Sequence, residues 1–170
     1  CHFFWCDDFA AAKNFALEQA NGDWILFLDA DEYFEPASLP LVRQYILRYQ
    51  PQRQVIGLMC HLLDFDQDQY DRLTRITYQA RIFRCSPHIR YVGRIHETLQ
   101  VQGVPGSRLQ YVAAIRIYHT GYSSQGMRRK AERNLRILQA EAAQHGEKPE
   151  QAVYFMDAWY CLQDYGKAAK

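Results

Sequence analysis

The stretch NGDWILFLDADEYFEP, residues 21–36, constrains the fold more than any other part of the chain. Five apolar residues, 24–28, run without interruption toward three carboxylates, Asp29, Asp31 and Glu32. An apolar run this short suits a strand covered on both faces, as in a parallel sheet. Acid clusters belong in water, on a metal or at a reacting centre. The carboxyl end of a strand is where open α/β sheets hold their ligands. The stretch therefore predicts a central strand whose end, with Asp29 and Asp31, opens into a cleft.

The flanking sequence supplies partners for such a strand. Asp7 or Asp8 can cap a helix that runs to about Ala20, with Phe9, Ala12, Ala16 and Ala20 on its inner face and Asn21-Gly22 as its stop. Residues 36–49 predict a second amphipathic helix, with Leu39, Val42, Ile46 and Tyr49 on one stripe. A second buried strand is expected at 55–63. A polar loop is expected at 64–72, which carries four Asp and two Gln. Strand-like segments follow at 75–85, 90–93, 98–102 and 111–119, with a Gly/Pro turn at 103–106.

From residue 123 the pattern becomes helical. Met127, Ala131, Leu135, Leu138 and Ala142 line one helix, and 146–149 breaks it. Ala152, Met156, Trp159 and Leu162 line the next. An α/β part at 1–122 and a helical hairpin at 123–170 follow from that change.

Composition removes several classes of function. At 48% hydrophobic the chain is not a disordered segment, and 170 residues suffice for one domain with a core, with or without a small appendage. A net charge of +1 without a basic stripe argues against nucleic acid as a partner. Five scattered cysteines with no CxxC argue against a disulfide framework or a zinc site and favour a reducing compartment. No signal peptide or membrane-spanning run is visible. The chain opens on Cys1-His2-Phe3-Phe4-Trp5, already domain-like, so it reads as a fragment lacking its natural N-terminus.

In an extended chain, residues i and i+2 share a side, so Asp29 and Asp31 can face one hard cation, or one a cation and the other a sugar hydroxyl. Mg or Mn suits such oxygens, particularly when phosphate completes the shell. The plainer alternative is a solvated strand end that caps the following helix. A strand ending in D-x-D also resembles the nucleophile motif of haloacid-dehalogenase-like phosphatases. That family follows its second Asp with smaller residues than Glu32-Tyr33-Phe34.

Taken together, DDFAAAKNFALEQANGDWILFLDADEYFEP resembles the central segment of family 2 glycosyltransferases with a GT-A fold, in which a helix bearing A-A-R-N precedes the D-x-D strand. QARIFRCSPHIRYVGRIHETL and IRIYHTGY resemble later motifs of a subgroup with tetratricopeptide-like C-terminal helices. The resemblance implies a GT-A-like mixed sheet, partial because its first nucleotide-binding strand would precede Cys1. It also implies an inverting sugar transfer from a nucleotide-diphosphate sugar, dependent on a divalent metal (Mn or Mg). The acceptor stays open between a protein, a lipid and a saccharide.

Residue by residue, the resemblance makes Asp29, Asp31 and His119 the metal ligands, with Asp29 leaning toward the ribose. Lys13, standing where the family more often has Arg, and Asn14 become donor contacts, as do Arg81 and Arg94; surface charge is the alternative for these cations. Arg84 adds positive charge to the same region. Inversion needs one base to take the acceptor proton. Glu97 in GRIHE is the first choice and His96 the second. If that stretch is extended, the two point to opposite sides. Gly93 lets the chain pass close to a ligand or is only a bend. Trp5, Tyr33, Phe34 and Tyr122 could stack on a sugar or base, although core packing is the commoner fate of aromatics. WYCLQDYGKAAK, at the end of the chain, resembles a repeat edge and offers a surface to a protein partner. The rival reading is a degenerate transferase acting as a scaffold through that repeat.

Overall fold

The structure, a computed structural model, describes residues 1–69, 71–122 and 126–169. Its contacts divide the chain into two compact units. A helical unit combines Cys1–Phe15, Tyr91–Thr98 and Ser124–Lys170; a sheet unit combines Ala16–Arg90 and Leu99–Ser123. The sequence boundary at 122 follows a change of composition, whereas the compact units follow contacts and draw on discontinuous stretches. The expected helix start at residue 123 lies outside the described residues.

The sheet unit is built on five strands in the order β1-β4-β3-β7-β2. These are β1 (Trp24–Leu26), β2 (Glu32–Phe34), β3 (Val55–Asp66), β4 (Arg72–Arg84) and β7 (Arg108–Tyr122). β5 (Ile89–Val92) and β6 (Thr98–Val101) pair as a separate two-stranded sheet. β3 lies antiparallel to β4 and parallel to β7, so the fold is an α/β fold with a mixed, GT-A-like sheet. α2 (Leu39–Tyr49) closes one face through Val42 and Tyr49. These pack with Val55, Leu58, Cys60, Leu62, Ile82, Val112, Ile115 and Ile117. The eight sheet residues are at most 6% exposed, which makes this the main core.

Two strand expectations are corrected. The apolar run at 24–28 is not a central strand: β1 has three residues, sits at the sheet edge, pairs only with β4, and leaves Leu26 47% exposed. Hydrophobicity over five residues does not say how many neighbours a strand has. The polar loop expected at 64–72 is strand through Asp66, because the charge of Asp64 is satisfied inside the sheet, by His119 and Arg75.

In the helical unit α1 (Phe9–Glu18) begins where Asp8 Oδ1 accepts the Ala11 N–H at 2.8 Å, an N-cap as expected. The helix is turned from its expected face: Ala10 and Leu17 are buried and Ala16 is exposed. α3 (Met127–His145) buries Ala131, Leu135, Ile137 and Leu138, and Gly146 ends it at φ 79°, a conformation glycine adopts without Cβ strain. In α4 (Ala152–Cys161) the buried residue is Ala158, with Tyr154 and Phe155 packed on Ile95, Ile137 and Leu138. Ala152 and Met156, expected inside, are exposed. α5 (Tyr165–Ala168) is a single turn capped by Asp164. Among the described residues, no helix is long and apolar enough to cross a membrane.

Candidate functional site

In the sheet unit the strand register assembles the acids. β2 runs antiparallel to β7 and pairs Glu32 with His119; β7 runs parallel to β3 and pairs His119 with Asp64; β3 pairs Asp64 with Arg75. One row across four strands therefore reads Glu32, His119, Asp64, Arg75. Just before this row, Thr120 donates its backbone N–H to the Asp31 carbonyl at 2.9 Å, fixing the D-x-D segment to the end of β7.

Asp31 Oδ2 lies 3.3 Å from His119 Nε2, and both lie against Gly121. A Cβ at residue 121 would overlap Asp31 Oδ2 and come within 2.8 Å of His119 Nε2, so a side chain there would displace the pair from this arrangement. The other ring nitrogen of His119 donates to Asp64 Oδ1 at 2.7 Å, and Asp64 Oδ2 accepts from Arg75 Nε at 2.7 Å. The Asp64 hydrogen bond raises the His119 pKa above its ordinary value, aided by the negative charges of Asp31 and Glu32 and opposed by burial. Burial works to raise the Asp64 carboxyl, but the hydrogen bonds from His119 and Arg75 outweigh it, and the pKa is lowered.

Asp29 stands apart from that pair. Arg81 reaches it at 2.9 Å and reaches Glu32 at 2.5 Å. The cause is a β-bulge: the register steps from Leu58↔Ile82 to Met59↔Ala80, leaving Arg81 without a partner position on β3. Bulges re-aim side chains, and here the guanidinium is turned into a site where it is only 7% exposed. Of the three expected ligands the structure brings Asp31 and His119 together, while Asp29, 35% exposed, joins buried Arg81 and Glu32 in an ion triad. Among the described residues no cluster of three or more His, Cys, Asp or Glu is arranged as a metal cage. A carboxylate oxygen and an imidazole nitrogen still fit Mn or Mg as two donors of a shell completed by phosphate oxygens and water.

The helical unit holds the other expected residues. Lys13 Nζ pairs with Glu97 Oε1 at 2.6 Å, with the two side chains 11% and 14% exposed. Lys13 also lies 5.2 Å from the centre of the Tyr91 ring. Asn14 uses its amide on the backbone of Tyr91, donating to its carbonyl and accepting its N–H at 2.9 Å each, so it pins the strand rather than projecting from it. Phe9 donates its backbone N–H to the Arg94 carbonyl at 2.8 Å. Arg94 lines a cavity of about 540 Å³ together with Asp8, Asn14, Glu141, His145 and Lys148.

GRIHE is not extended. His96 takes φ 52°, the left-handed region, which costs a β-carbon residue about 1–2 kcal/mol. Its ring stacks on Tyr154 at 3.9 Å, and the resulting loss of hydration lowers its pKa against the pull of Glu97 and Asp157. The two candidate bases are therefore separated by a backbone twist. Glu97 is held by a lysine and His96 by an aromatic ring.

Other expectations resolve simply. Arg84 donates to the carbonyls of Tyr49, Gln50, Gln52 and Val55, tying β4 to the end of α2. Trp5 donates to Asp7, and Tyr33 packs edge-on against Tyr118. The Tyr122 side chain lies outside the described residues. Sequence reasoning passed over Glu32 as a site residue and assigned Asp64 to a loop. The one signal for Asp64 was its alternation with buried residues: Leu62, Asp64 and Asp66 share the pattern of Leu58 and Cys60.

A family model described as Glycosyl transferase family 2 matches residues 5–136. A TPR repeat-containing protein of Synechococcus elongatus is 32% identical over 154 residues, covering 86% of this chain and 36% of that protein. The SPbeta prophage-derived glycosyltransferase SunS of Bacillus subtilis is 22% identical over 153 residues, covering 89% of the chain and 35% of SunS. The SunS glycosyltransferase of Bacillus phage SPbeta matches to the same extent. The chain thus spans about a third of the length of the curated relatives it matches.

Proposed function

Because the chain belongs to glycosyl transferase family 2, we propose that the protein transfers a sugar from a nucleotide-diphosphate sugar to an acceptor nucleophile, with inversion, in the cytoplasm. The observation that carries the proposal is the meeting of Asp31 and His119 over Gly121 at the D-x-D segment. Asp31 and His119 would hold a divalent cation, Mn or Mg. When bound, the cation would neutralise charge growing on the departing diphosphate.

The chain's own residues divide the remaining work. Arg81, itself held by Glu32, orients the Asp29 carboxylate, which would accept a hydrogen bond from a ribose hydroxyl. By the family resemblance, Glu97 would be the base that takes the acceptor's proton as the acceptor attacks the anomeric carbon and the glycosidic bond to the diphosphate breaks. Lys13 fixes one carboxylate oxygen of Glu97. The exposed face of α4, with Val153, Met156 and Tyr160, offers a surface for a protein partner.

The test is a panel of nucleotide sugars with Mn, scored for sugar release or transfer, using the longest natural form of the protein and its Asp31→Asn variant. One donor consumed by the wild type and spared by Asp31→Asn is the expected result. Equal turnover by both, or turnover unaffected by a chelator, would remove the cation from the reaction.

A further inference from the structure

We infer that Asp64 is a positioning residue: it fixes His119 in the tautomer that turns the Nε2 lone pair toward Asp31, and so sets the strength of the cation site. The inference rests on the metal reading proposed above. Asp64 is fully buried in β3, where a carboxylate is tolerated only if its oxygens are satisfied. Each oxygen has one strong donor: Oδ1 takes the His119 ring at 2.7 Å, and Oδ2 takes Arg75 Nε at 2.7 Å. Both ring nitrogens face carboxylates, and an ionised carboxylate only accepts; the shorter contact, 2.7 Å to buried Asp64 against 3.3 Å to the more exposed Asp31, assigns the single proton of the neutral imidazole to Nδ1. Nε2 is then left as the ligand atom, facing Asp31 Oδ2 at 3.3 Å.

The arrangement is held by backbone as well as by side chains, since Asp64 and His119 are register partners in the parallel β3–β7 ladder. A carboxylate behind a ligating imidazole orients the ring and raises its basicity, and losing it typically costs 10–100-fold in metal affinity. A merely structural Asp64 would serve Arg75 equally. Arg75 is 56% exposed, however, and does not need a buried carboxylate for solvation.

The experiment compares Mn²⁺ binding by calorimetry for wild type, Asp64→Asn, Arg75→Gln and Asp31→Asn, with circular dichroism as the check on folding. The wild-type His119 tautomer is read by ¹⁵N NMR on metal-free protein at alkaline pH. Expected are a roughly 10–100-fold weaker Mn²⁺ affinity for Asp64→Asn, a much smaller change for Arg75→Gln, and a wild-type ring protonated on Nδ1. Wild-type affinity in folded Asp64→Asn while Asp31→Asn loses binding would overturn the positioning role and leave the metal reading standing. So would a wild-type ring protonated on Nε2. Absence of Mn²⁺ binding to the wild type, or an Asp31→Asn variant that binds as the wild type does, overturns both readings. If Asp64→Asn does not fold, the wild-type tautomer alone decides.

Discussion

The two compact units hold their charges by different means. In the sheet unit, Arg81, Glu32 and Asp64 are each less than one-tenth exposed; Arg81 bridges Asp29 and Glu32, and Asp64 bridges His119 and Arg75. Strand register sets their positions, and a bulge aims the arginine. In the helical unit, Lys13 and Glu97 make one ion pair between α1 and a short irregular stretch, beside a histidine held at positive φ. The contrast suits two tasks. Groups that must hold a highly charged ligand gain from a rigid, over-determined lattice. For the proposed base, the ion pair with Lys13 engages Oε1.

The largest expected effect breaks the comparison on its chemical side. Glu97→Gln keeps the shape of the side chain and removes the proton sink. Transfer by the longest natural form should fall about 10²–10⁴-fold, the usual contribution of a positioned base, with donor binding nearly unchanged. His96→Asn, which tolerates the left-handed backbone, should cost far less. A dead His96→Asn beside an active Glu97→Gln would move the base to the neighbouring residue. Rates and donor affinity for both variants decide it.

The next effect is on stability. Arg81→Met leaves Asp29 and Glu32 together without their shared cation, one of them nearly fully buried, and should cost about 3–5 kcal/mol in a denaturant melt. Lys13→Met strands a single carboxylate that is 14% exposed and should cost less, about 1–3 kcal/mol. Equal losses in the two variants would mean that the units hold charge in the same way after all.

That contrast also marks what the sequence makes legible. Asp29 and Asp31 stand out because an apolar run ends on them, and His119 because it closes a strand before Gly121. These are local signals. Glu32 carries none, its burial being explained by Arg81, 49 residues away; Asp64 carries only its place in the alternation of β3, and the partners that satisfy it, His119 and Arg75, stand 55 and 11 residues away. The bulge that aims Arg81 is a property of pairing between β3 and β4, so no spacing along β4 reports it. Element positions read well because turns are local. The edge placement of β1 and the turned faces of α1 and α4 did not, because several faces of a short apolar segment satisfy the same period.

A smaller effect follows from protonation of the sheet-unit pair in metal-free protein. The His119 pKa is raised on folding, so the stability it contributes is fully present below the unfolded value near 6.5 and is lost as pH rises through the folded value. The Asp64 pKa is lowered, so its contribution is present above the unfolded value near 3.8 and is lost as pH falls through the folded value. The imidazolium–carboxylate pair is therefore most stabilising between about pH 4 and 6.5. His119→Gln should lower the melting temperature most at pH 5.5 in chelator, and the deficit should shrink by pH 9. A deficit independent of pH would show that the ring matters for shape and not for charge.

The smallest effect gives each unit its own reporter without disturbing either site. Cys60 is fully buried in the sheet unit, where loss of hydration pushes its thiol up to about 12, with Arg81 pulling slightly the other way. At pH 8 a thiol at about 12 is thiolate in roughly one molecule in ten thousand, and only the thiolate attacks an alkylating reagent. Cys161, in the helical unit, is partly exposed; burial and then Asp157 raise its pKa. Cys1, Cys6 and Cys85 are exposed. Iodoacetamide followed by mass spectrometry should label those three first, Cys161 next and Cys60 last. The Cys60 rate should rise only in denaturant sufficient to open the β3 core. If the sheet unit is the more over-determined, denaturant should accelerate labelling of Cys161 at a lower concentration than it accelerates Cys60. Simultaneous acceleration would show that the two units unfold as one cooperative body, and the difference in how they hold charge would then carry no difference in stability.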